Sequence, residues 1–587
     1  MTRYPSQRTL LLSIPSPPSL AALAALTLGL AALALGLVAT TARAAEPAPG
    51  RAGAPPALLT DPSLVFSVPQ VPKPAYLTPF TDPTFASPVM RVGSNIGATT
   101  APVSGLWGSD ARHVYSKQQP WSSDQSMIII ENRSGGSPTP LILDGTTYLP
   151  KLAPCPSSPL YDYRWHPASA HAHELVNVNS SGNELEWYDV TTCTTTRTWT
   201  LPITVDYGIG SGEGNPSNDG RFVALGNNNA MFVVDMDPQP PYAPYPNKRI
   251  GPVYTFPPCS LTAGAPNTWV INSVAMSPSG KYVDISFDSG NDTTYDANRI
   301  YDVDPATLAL KPHNMASSSL RCGSFQYRPN GWIFPLKHAD MALDPFDNDE
   351  DVILGGRSCP GSNIGRVVKV RLRDGQVTPL TDSSNESDIY HVSTRNIGRP
   401  GWVYVSYYKE SGKRFSDEII AVKLDGSGAV ERLTHMHTAA SGCYRCEAHP
   451  VPSPDGMRVI FASNWAQDCT ACGSASDIKD YVVSLTGVTG IPGPAPSAGV
   501  DLALERVIPN PARALPAVHY SLASWAPASL RLIDVAGRLV FARDLGSPGP
   551  GRHETRLGDG TAPPPGTYWL SLQQSGRNVT SKVTFVH

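Results

Sequence analysis

The sequence has few charged residues and no long stretch that could remain helical. Charged side chains make up 16% of the 587 residues, below the roughly 25% of an average globular domain. The 45 basic and 49 acidic residues leave a formal net charge of −4, so the positive surface that nucleic acid requires is not indicated. The 59 prolines and 49 glycines interrupt almost every segment, which excludes long helices and coiled coils. The 41% of hydrophobic residues excludes general disorder.

Short motifs of several enzyme classes are also missing from the chain. The sequence contains no G-x-S-x-G nucleophile turn, no phosphate-binding glycine loop followed by a helix, and no H-E-x-x-H zinc motif. Neither C-x-x-C pair is followed by histidine, so covalent haem attachment is not supported. Any chemistry must therefore come from residues that the fold assembles.

The N-terminus is typical of a signal peptide. Arg3 and Arg8 precede an apolar run from Leu20 to Val38, and Ala42-Arg43-Ala44 is a small-residue cleavage site. We predict cleavage after Ala44, with an uncleaved membrane anchor as the alternative. No second apolar run of spanning length follows, so the mature protein is expected to be secreted or on the cell surface, without a membrane span. Such a compartment permits disulfides.

Two linkers divide the rest of the chain into a large and a small region. We predict a signal peptide at 1–44, a Pro/Ala-rich tether at 45–75 and a Pro/Gly/Ser-rich linker at 487–500. The region between the linkers, 76–486, is the large one, and 501–587 is the small one.

The large region repeats a turn between two strands. Clear copies are PVPSPDGMRVIFAS at 450–463, VAMSPSGKYVDISF at 274–287 and GNPSNDGRFVALG at 214–226. Including weaker copies, seven turns recur about 50–60 residues apart, the size of a four-stranded blade. The sequence predicts an all-β protein with a seven-bladed β-propeller, while six or eight blades remain open.

Both regions resemble known families. The S-P-D-G repeats resemble exported propellers of the TolB and WD40-like group, a resemblance that implies the fold and leaves activity open. The small region carries P-N-P at 509–511, D-x-x-G-R at 534–538 and P-x-G-x-Y at 564–568. In this order the motifs resemble the FlgD Ig-like domain and type IX secretion sorting domains. That resemblance implies a bacterial, Ig-like β-sandwich for attachment or for contact with an export machinery.

The repeat geometry predicts which residues surround one mouth of the central channel. The innermost strand of each blade runs from that mouth towards its turn, so residues about four positions before the turn should converge there. The residues so selected are Gln118, Asp162, Glu213, Ser273, Asp340 and His449, with His338 two positions further out and His391 before the longer sixth turn. Histidines and carboxylates in one place suit a divalent metal or acid–base site. An inert, hydrated channel lining is the alternative.

A second resemblance concerns the propeller mouth. EAHPVPSPDG at 447–456 and YHVSTRN at 390–396 resemble segments of oligogalacturonate lyases, seven-bladed propellers with a histidine-rich metal site at the channel. The resemblance implies that His338, His391 and His449 hold a metal that binds a uronate carboxylate, and that Arg395 helps bind the substrate. Manganese, calcium and zinc are the candidate ions. By contrast, we expect His435 and His437 on the surface of a loop.

Four cysteines form two C-x-x-C pairs near this mouth. Cys443 and Cys446 precede His449, and Cys469 and Cys472 follow the next predicted strand. The sequence allows two disulfides or one four-cysteine zinc site. Among the other five cysteines, Cys155–Cys193 and Cys322–Cys359 are plausible pairs, which leaves Cys259 without one.

Two functions follow from these observations. In the first, an exported or cell-surface propeller binds a glycan, peptide or protein ligand at its mouth. In the second, a metal-dependent polysaccharide lyase cleaves uronates by β-elimination. The sequence leaves open whether the protein is an enzyme.

Overall fold

A computed structural model describes most of the chain and shows a protein built from β-strands. The described residues are 58–153, 160–209, 213–237, 249–256, 270–288, 297–313, 332–333, 336–357, 366–485, 502–522, 528–546, 551–557, 562–574 and 577–586. Among them, strands are accompanied only by short 3-10 turns, such as Ser169–His171 and Tyr444–Cys446. In the same part of the chain, no helix has the length and apolar character needed to cross a membrane. The predicted signal peptide and the 487–500 linker lie outside the described residues.

In the described residues, thirty strands build the large region. The first half comprises β1 Pro79–Thr81, β2 Pro88–Arg91, β3 Asp110–Arg112, β4 Met127–Arg133, β5 Leu141–Asp144, β6 Pro150–Leu152, β7 Asp162–Trp165, β8 Glu174–Val178, β9 Glu184–Asp189, β10 Thr194–Thr200, β11 Phe222–Gly226, β12 Ala230–Asp235, β13 Arg249–Ile250 and β14 Tyr254–Thr255. The second half comprises β15 Val270–Met276, β16 Tyr282–Asp288, β17 Ala297–Val303, β18 Leu310–Pro312, β19 Trp332–Ile333, β20 Leu336–Asp344, β21 Glu350–Arg357, β22 Val367–Arg371, β23 Val377–Pro379, β24 Ile389–Ser393, β25 Trp402–Tyr407, β26 Glu418–Lys423, β27 Val430–His435, β28 Val451–Pro452, β29 Arg458–Ser463 and β30 Ile478–Ser484.

These strands form seven antiparallel blades in the described residues. Blade 1 contains β4–β6, with Trp121 bridging to Ile128 from the inner segment, and blade 2 is β7–β10. Blades 3 and 4 are β11–β14 and β15–β19, and blades 5 and 6 are β20–β23 and β24–β27. Blade 7 joins β28–β30 to β2 and β1 from the N-terminal side of the region. The β2–β30 pairing, with Val89 opposite Val483, closes the ring. The all-β, seven-bladed prediction is confirmed.

The repeated turn forms because its own side chains make hydrogen bonds with one another and with its backbone N–H groups. In the last copy, Ser453 Oγ donates to Asp455 Oδ1 at 2.5 Å, and the Met457 N–H donates to the same oxygen at 3.0 Å. Gly456 adopts a positive φ of 68°, which glycine tolerates without steric cost. Equivalent serine–aspartate bonds occur at Ser217–Asp219 and Ser122–Asp124. The recurrence of this turn in successive blades therefore makes the blade period visible in the sequence.

The described part of the predicted tether packs on the propeller. Leu59 forms an isolated bridge with Arg432 in blade 6, and the Arg432 guanidinium donates to the Asp61 and Leu64 carbonyls. Val71 is buried, and Lys73 pairs with Asp477 at 2.8 Å. The structure thus differs from the tether prediction over 58–75, because apolar and charged residues in this Pro-rich stretch find partners on blades 6 and 7. Residues 45–57 lie outside the described residues.

The small region is a two-sheet β-sandwich. Its strands are β31 Ala503–Ile508, β32 Ala517–Leu522, β33 Ala528–Asp534, β34 Leu539–Gly546, β35 Gly551–Arg556, β36 Gly566–Gln574 and β37 Arg577–Phe585. One sheet has the order β31-β32-β35 and the other β34-β33-β36-β37. Alternate residues such as Leu530, Leu532, Leu570 and Leu572 are fully buried in one shared core. This agrees with the predicted sandwich, whereas its role in attachment or sorting stays a prediction.

Candidate functional site

Three blades bring histidines together at one end of the channel. We call His338, His391, Glu447 and His449 the mouth cluster. The ring centroids of His391 and His449 are 3.9 Å apart, and those of His338 and His391 are 4.3 Å apart. Glu447 Oε2 lies 2.6 Å from His391 Nε2. One potential ligand atom from each of His391, Glu447 and His449 lies within 4.8 Å of the others, a spacing at which one metal ion can contact all three.

Irregular backbone at the strand entries directs these side chains into the mouth. The β20–β21 register shifts between Lys337 and Asp340, and the β24–β25 register shifts between Ile389 and His391. Each shift is a β-bulge, a device that re-aims side chains and is common beside active sites. His338 and His449 also have positive φ values of 51° and 43°, uncommon for residues other than glycine. The clustering therefore depends on local distortions of the regular strands.

The environment of His449 suits a metal ligand. The residue is fully buried, and burial, with His391 and Arg112 nearby, lowers the pKa of its imidazole well below its ordinary value. A neutral imidazole is the form that binds metals. Its Nε2 lies 3.2 Å from the Tyr444 carbonyl, so Nε2 carries the proton and Nδ1 the lone pair. Nδ1 is buried without a hydrogen-bond partner, and coordination of an ion would satisfy it.

The donor set narrows the choice of ion. Two imidazoles and one carboxylate match zinc sites that keep a position open for a further ligand, and they also suit manganese. Calcium prefers six to eight oxygen ligands, so this set does not favour it. The residues therefore fit the predicted divalent metal, with zinc or manganese ahead of calcium.

His338 lies beside the three converging residues. Its Nδ1 is 3.0 Å from the Tyr115 hydroxyl, and its side chain is partly exposed. The sequence predicted it as a third histidine ligand, whereas the compact group of ligand atoms contains Glu447 in that place. His338 thus occupies a neighbouring position from which it can reach a bound ligand.

Several residues of this site were not predicted from the sequence. Glu447 is one of them, although a carboxylate two residues before His449 was a usable signal. Tyr115 and Tyr444 surround the histidines, with Tyr115 centred 5.0 Å from His449 and Tyr444 54% exposed. His113 supports His449 from behind, since its ring lies 2.6 Å from the His449 carbonyl and 2.7 Å from Asp480 Oδ1. Nothing in the repeat pattern distinguishes His113, because it precedes the inner segment of blade 1.

The remaining predicted residues lie outside the mouth cluster. Glu213, Ser273, Asp340 and Arg395 line one small cavity, together with Lys117 and Asp284 among others. Gln118 instead donates its amide to the Tyr163 carbonyl at 3.1 Å. Asp162 is buried at the start of β7, where its backbone N–H donates to Asn177. The predicted ring is therefore divided into the mouth cluster, the group that lines this cavity, Gln118 at a contact between blades 1 and 2, and Asp162 within blade 2.

Arg395 differs from its predicted role because it is already paired. Its guanidinium donates to both oxygens of Asp340, at 3.0 and 2.8 Å, and also to the Met341 carbonyl at 2.9 Å. Both side chains are less than 10% exposed. Breaking such a buried bidentate pair to receive a substrate carboxylate would leave Asp340 without its cation. Arg395 thus holds blades 5 and 6 together, while Lys117 pairs with Glu213 at 2.9 Å on the other side.

The four C-x-x-C cysteines are joined within each motif. Disulfides link Cys443 to Cys446 and Cys469 to Cys472. With the sulfurs joined in this way no thiolate remains for the zinc alternative. Cys193 is also disulfide-bonded, whereas Cys155, Cys259, Cys322 and Cys359 lie outside the described residues. These disulfides are compatible with an exported protein.

A second group of buried histidines lies between blade 6 and the N-terminal segment. We call Asp82, Asp417, His435 and His437 the Asp82 cluster. His435 Nδ1 is 3.4 Å from Asp82 Oδ2, and the His437 N–H donates to Asp417 at 3.0 Å. Both histidines are fully buried, so their prediction as surface residues is wrong. The reason is that residues 82–85 cover them, with Phe85 centred 4.8 Å from the His435 ring.

The chain was compared with known proteins. No protein-family model matches it, and no curated relative was found. Among solved structures it is similar to an oligogalacturonate lyase in complex with manganese, at 12% identity over 70% of this chain and 96% of that chain, with a TM-score of 0.40. It is also similar to the hydrazine synthase of Kuenenia stuttgartiensis, at 12% identity over 63% and 96% of the chains, with a TM-score of 0.32. The Pan2 WD40 domain of Neurospora crassa matches at 11% identity over 63% and 88%, with a TM-score of 0.34. These likenesses concern fold, and the propeller assignment rests on the strand pairing.

Proposed function

We propose that the propeller mouth binds a divalent metal ion, zinc or manganese, through His391, Glu447 and His449, and through it a carboxylate-bearing glycan. The observation that carries the proposal is the convergence of three potential ligand atoms within 4.8 Å. When bound, the ion would supply positive charge for a ligand carboxylate at coordination positions that the protein leaves open.

The surroundings of the mouth cluster support ligand access. Glu447 keeps 17% of its side chain exposed, while His391 is fully buried. Tyr444 is 54% exposed as a residue, and its ring is centred 5.0 Å from the His449 ring. An exposed tyrosine offers an apolar face for a sugar ring and a hydroxyl for its substituents. The site therefore combines a buried histidine, His391, with a carboxylate and a tyrosine that a ligand can reach from solvent.

Metal content and glycan binding test this proposal directly. The purified protein is stripped with EDTA and reloaded with zinc or manganese, its metal is counted by mass spectrometry, and oligogalacturonate is titrated calorimetrically. We expect one ion per chain and glycan binding that EDTA abolishes. Glu447→Gln should lose both, whereas His171→Ala, which changes a half-exposed histidine of blade 2, should retain both. Wild-type protein that retains no ion after reloading would contradict the proposal.

A second candidate function is cleavage of the bound uronate by β-elimination. The observation that favours it is His338, which lies beside the three converging residues of the mouth cluster and has the Tyr115 hydroxyl 3.0 Å from its Nδ1. In this reaction a base takes the proton from the carbon next to the carboxylate, the electron pair forms a C=C bond, and the glycosidic C–O bond breaks with protonation of the leaving oxygen. His338 is the group that would accept the proton.

The ultraviolet absorbance of unsaturated products distinguishes cleavage of the glycan from binding alone. We expect reloaded protein to produce an EDTA-sensitive rise in ultraviolet absorbance on pectic polysaccharides. His338→Gln should abolish the rise and keep the ion and glycan affinity. A flat trace with every uronate polymer, from protein that binds ion and glycan, would leave binding as the function.

We also propose that the protein acts outside the cell. The disulfides and the predicted signal peptide support export, and the sandwich resembles modules that mediate attachment or contact an export machinery. Expression of the full chain in a bacterial host with such machinery, followed by N-terminal sequencing of the extracellular protein, tests this. The mature chain should begin at Ala45, and retention inside the cell would contradict the proposal.

A further inference from the structure

Two disulfides of identical spacing occupy different environments. Cys443–Cys446 and Cys469–Cys472 each span a sequence separation of 3. The second lies in the loop between β29 and β30 and faces the N-terminal segment, where the Lys73 N–H donates to the Ala471 carbonyl at 3.0 Å. The first immediately precedes Glu447 and His449. One disulfide is therefore next to the mouth cluster, and the other serves as an internal comparison.

The loop closed by Cys443–Cys446 is anchored to its surroundings at its C-terminal end. The Arg445 guanidinium contacts Asp110 and lies 2.7 Å from Glu131, which attaches the loop to blade 1. The Thr438 hydroxyl donates to the Cys446 carbonyl at 2.6 Å. Glu447 follows directly, so its position depends on this anchored turn.

The same loop orients His449. The Tyr444 carbonyl, inside the disulfide-closed turn, accepts the hydrogen bond from His449 Nε2 at 3.2 Å. This bond selects the tautomer that leaves the buried Nδ1 available as a ligand atom. Outer-shell partners that orient a ligating histidine commonly change metal affinity by about 10–100-fold when they are removed. The turn thus positions Glu447 and orients His449, which are two of the three residues whose ligand atoms converge.

We propose that the Cys443–Cys446 disulfide is a redox-sensitive clamp that positions Glu447 and His449, so that metal affinity at the mouth depends on its oxidation state. The inference rests on the proposed metal function and goes beyond it by assigning a control element. Reduction by a dithiol is the relevant step. A thiolate attacks one sulfur to form a mixed disulfide, and the second thiol of the reductant then displaces the protein thiol. The protein gains two thiols, and the reductant becomes its own disulfide.

Accessibility indicates where the attack occurs. Cys446 is fully buried, with its sulfur 3.7 Å from the Ala475 carbonyl, whereas Cys443 is partly exposed. Attack at the Cys443 sulfur therefore requires the smaller rearrangement. Release of the turn would free Tyr444 and Glu447 from their fixed positions without removing any ligand residue from the chain.

Matched double variants of the full chain test the clamp. Cys443→Ser/Cys446→Ser removes it, and Cys469→Ser/Cys472→Ser removes the comparison disulfide. Each is loaded with Co²⁺, whose visible absorption reports coordination, and its zinc affinity is measured by competition with a chelator. We expect the first variant to bind about 10–100-fold more weakly and to show an altered Co²⁺ spectrum. The second should match wild type in both readouts.

A redox experiment covers the case in which the first variant does not fold. Because Cys193 is also disulfide-bonded, the dithiol is applied to the Cys193→Ser/Cys469→Ser/Cys472→Ser protein, which is freed of it by gel filtration and assayed before and after reoxidation. Weaker binding that reoxidation restores, at unchanged circular dichroism, supports the clamp. Equal affinity in the oxidised and reduced states overturns it while leaving the metal site intact. Absence of Co²⁺ binding in oxidised wild type instead overturns the proposed function, and the clamp with it.

Discussion

The propeller contains two groups of histidines in which the surroundings shift the pKa of a buried imidazole in opposite directions. In the mouth cluster, burial with His391 and Arg112 lowers the pKa of His449 well below its ordinary value. In the Asp82 cluster, burial alone would lower the pKa of His435, but Asp82 and Glu418 outweigh it and the pKa is raised. Both side chains are fully buried. The pKa of the same residue type is thus lowered in one place and raised in the other.

The comparison shows why burial and composition do not identify a metal site. His435 has three acidic neighbours whose charges favour its protonated form, which makes it an ion-pair partner instead of a ligand. His449 has the Arg112 guanidinium nearby and a carbonyl on one nitrogen, which leaves a neutral lone pair on the other. The sign of the neighbouring charge separates the candidate metal site from the structural group.

The largest expected effect is loss of metal from the mouth cluster. We predict that His449→Ala and Glu447→Gln lower affinity by more than the roughly 10–100-fold typical of outer-shell changes, because each removes a ligand atom. Competition titration with a chelator measures it. His435→Ala, tested in parallel where it folds, should bind metal normally. If it loses metal as the mouth variants do, the two groups do not differ in the way described.

Removal of His435 should mainly reduce stability. Asp82 is fully buried beside it and also accepts the Thr84 N–H at 2.8 Å. His435→Ala would leave this carboxylate without its cation, at a cost of about 3 kcal/mol in the free energy of unfolding. Chemical denaturation of wild type and variant measures the difference. Addition of Asp82→Asn should recover part of the loss, and a double variant less stable than the single one would contradict the ion-pair interpretation.

The pH dependence of stability should reveal the titration of the buried Asp417 carboxyl. Burial raises the pKa of this carboxyl to about 7, so the folded state binds its proton more tightly than the unfolded state. A raised folded pKa contributes stability at low pH that is lost as the pH rises through it. Between about pH 6 and about pH 8, wild type should lose about 1 kcal/mol relative to Asp417→Asn. Parallel stability curves of the two proteins would argue against a proton on Asp417.

The smallest effect is expected at His437. Burial and His435 lower the pKa of its imidazole to about 4, and its ring lies 4.4 Å from Trp465 with an unpartnered, buried Nε2. His437→Phe replaces an unsatisfied polar ring by an apolar one, so we expect a change within about 1 kcal/mol and normal metal content. A loss comparable to that of His435→Ala, seen by denaturation, would show that the two histidines act as a unit.

The mouth could be predicted only in part from the repeat. Counting back from the turns selected His449, His338 and His391, and the structure brings these three together. The same counting placed Asp340 beside them, but the bulge in β20 directs Asp340 towards Arg395. A single extra residue reverses the face on which a side chain lies. Bulges leave no dependable mark in one sequence, and Glu447, His113 and Tyr115 belong to no repeated position.

The sequence by itself determined the all-β class, the blade period and the separation from a C-terminal sandwich, because turn chemistry and alternation act over a few residues. It also determined that Cys443 and Cys446 would lie close to His449, whereas Cys469 and Cys472 face the N-terminal segment instead. Only the tertiary structure decided that Glu447 joins the histidines, that Arg395 is occupied by Asp340, and that His435 is buried against Asp82. These outcomes depend on side chains far apart in the chain, whose meeting is set by blade packing, strand bulges and the balance of buried charge.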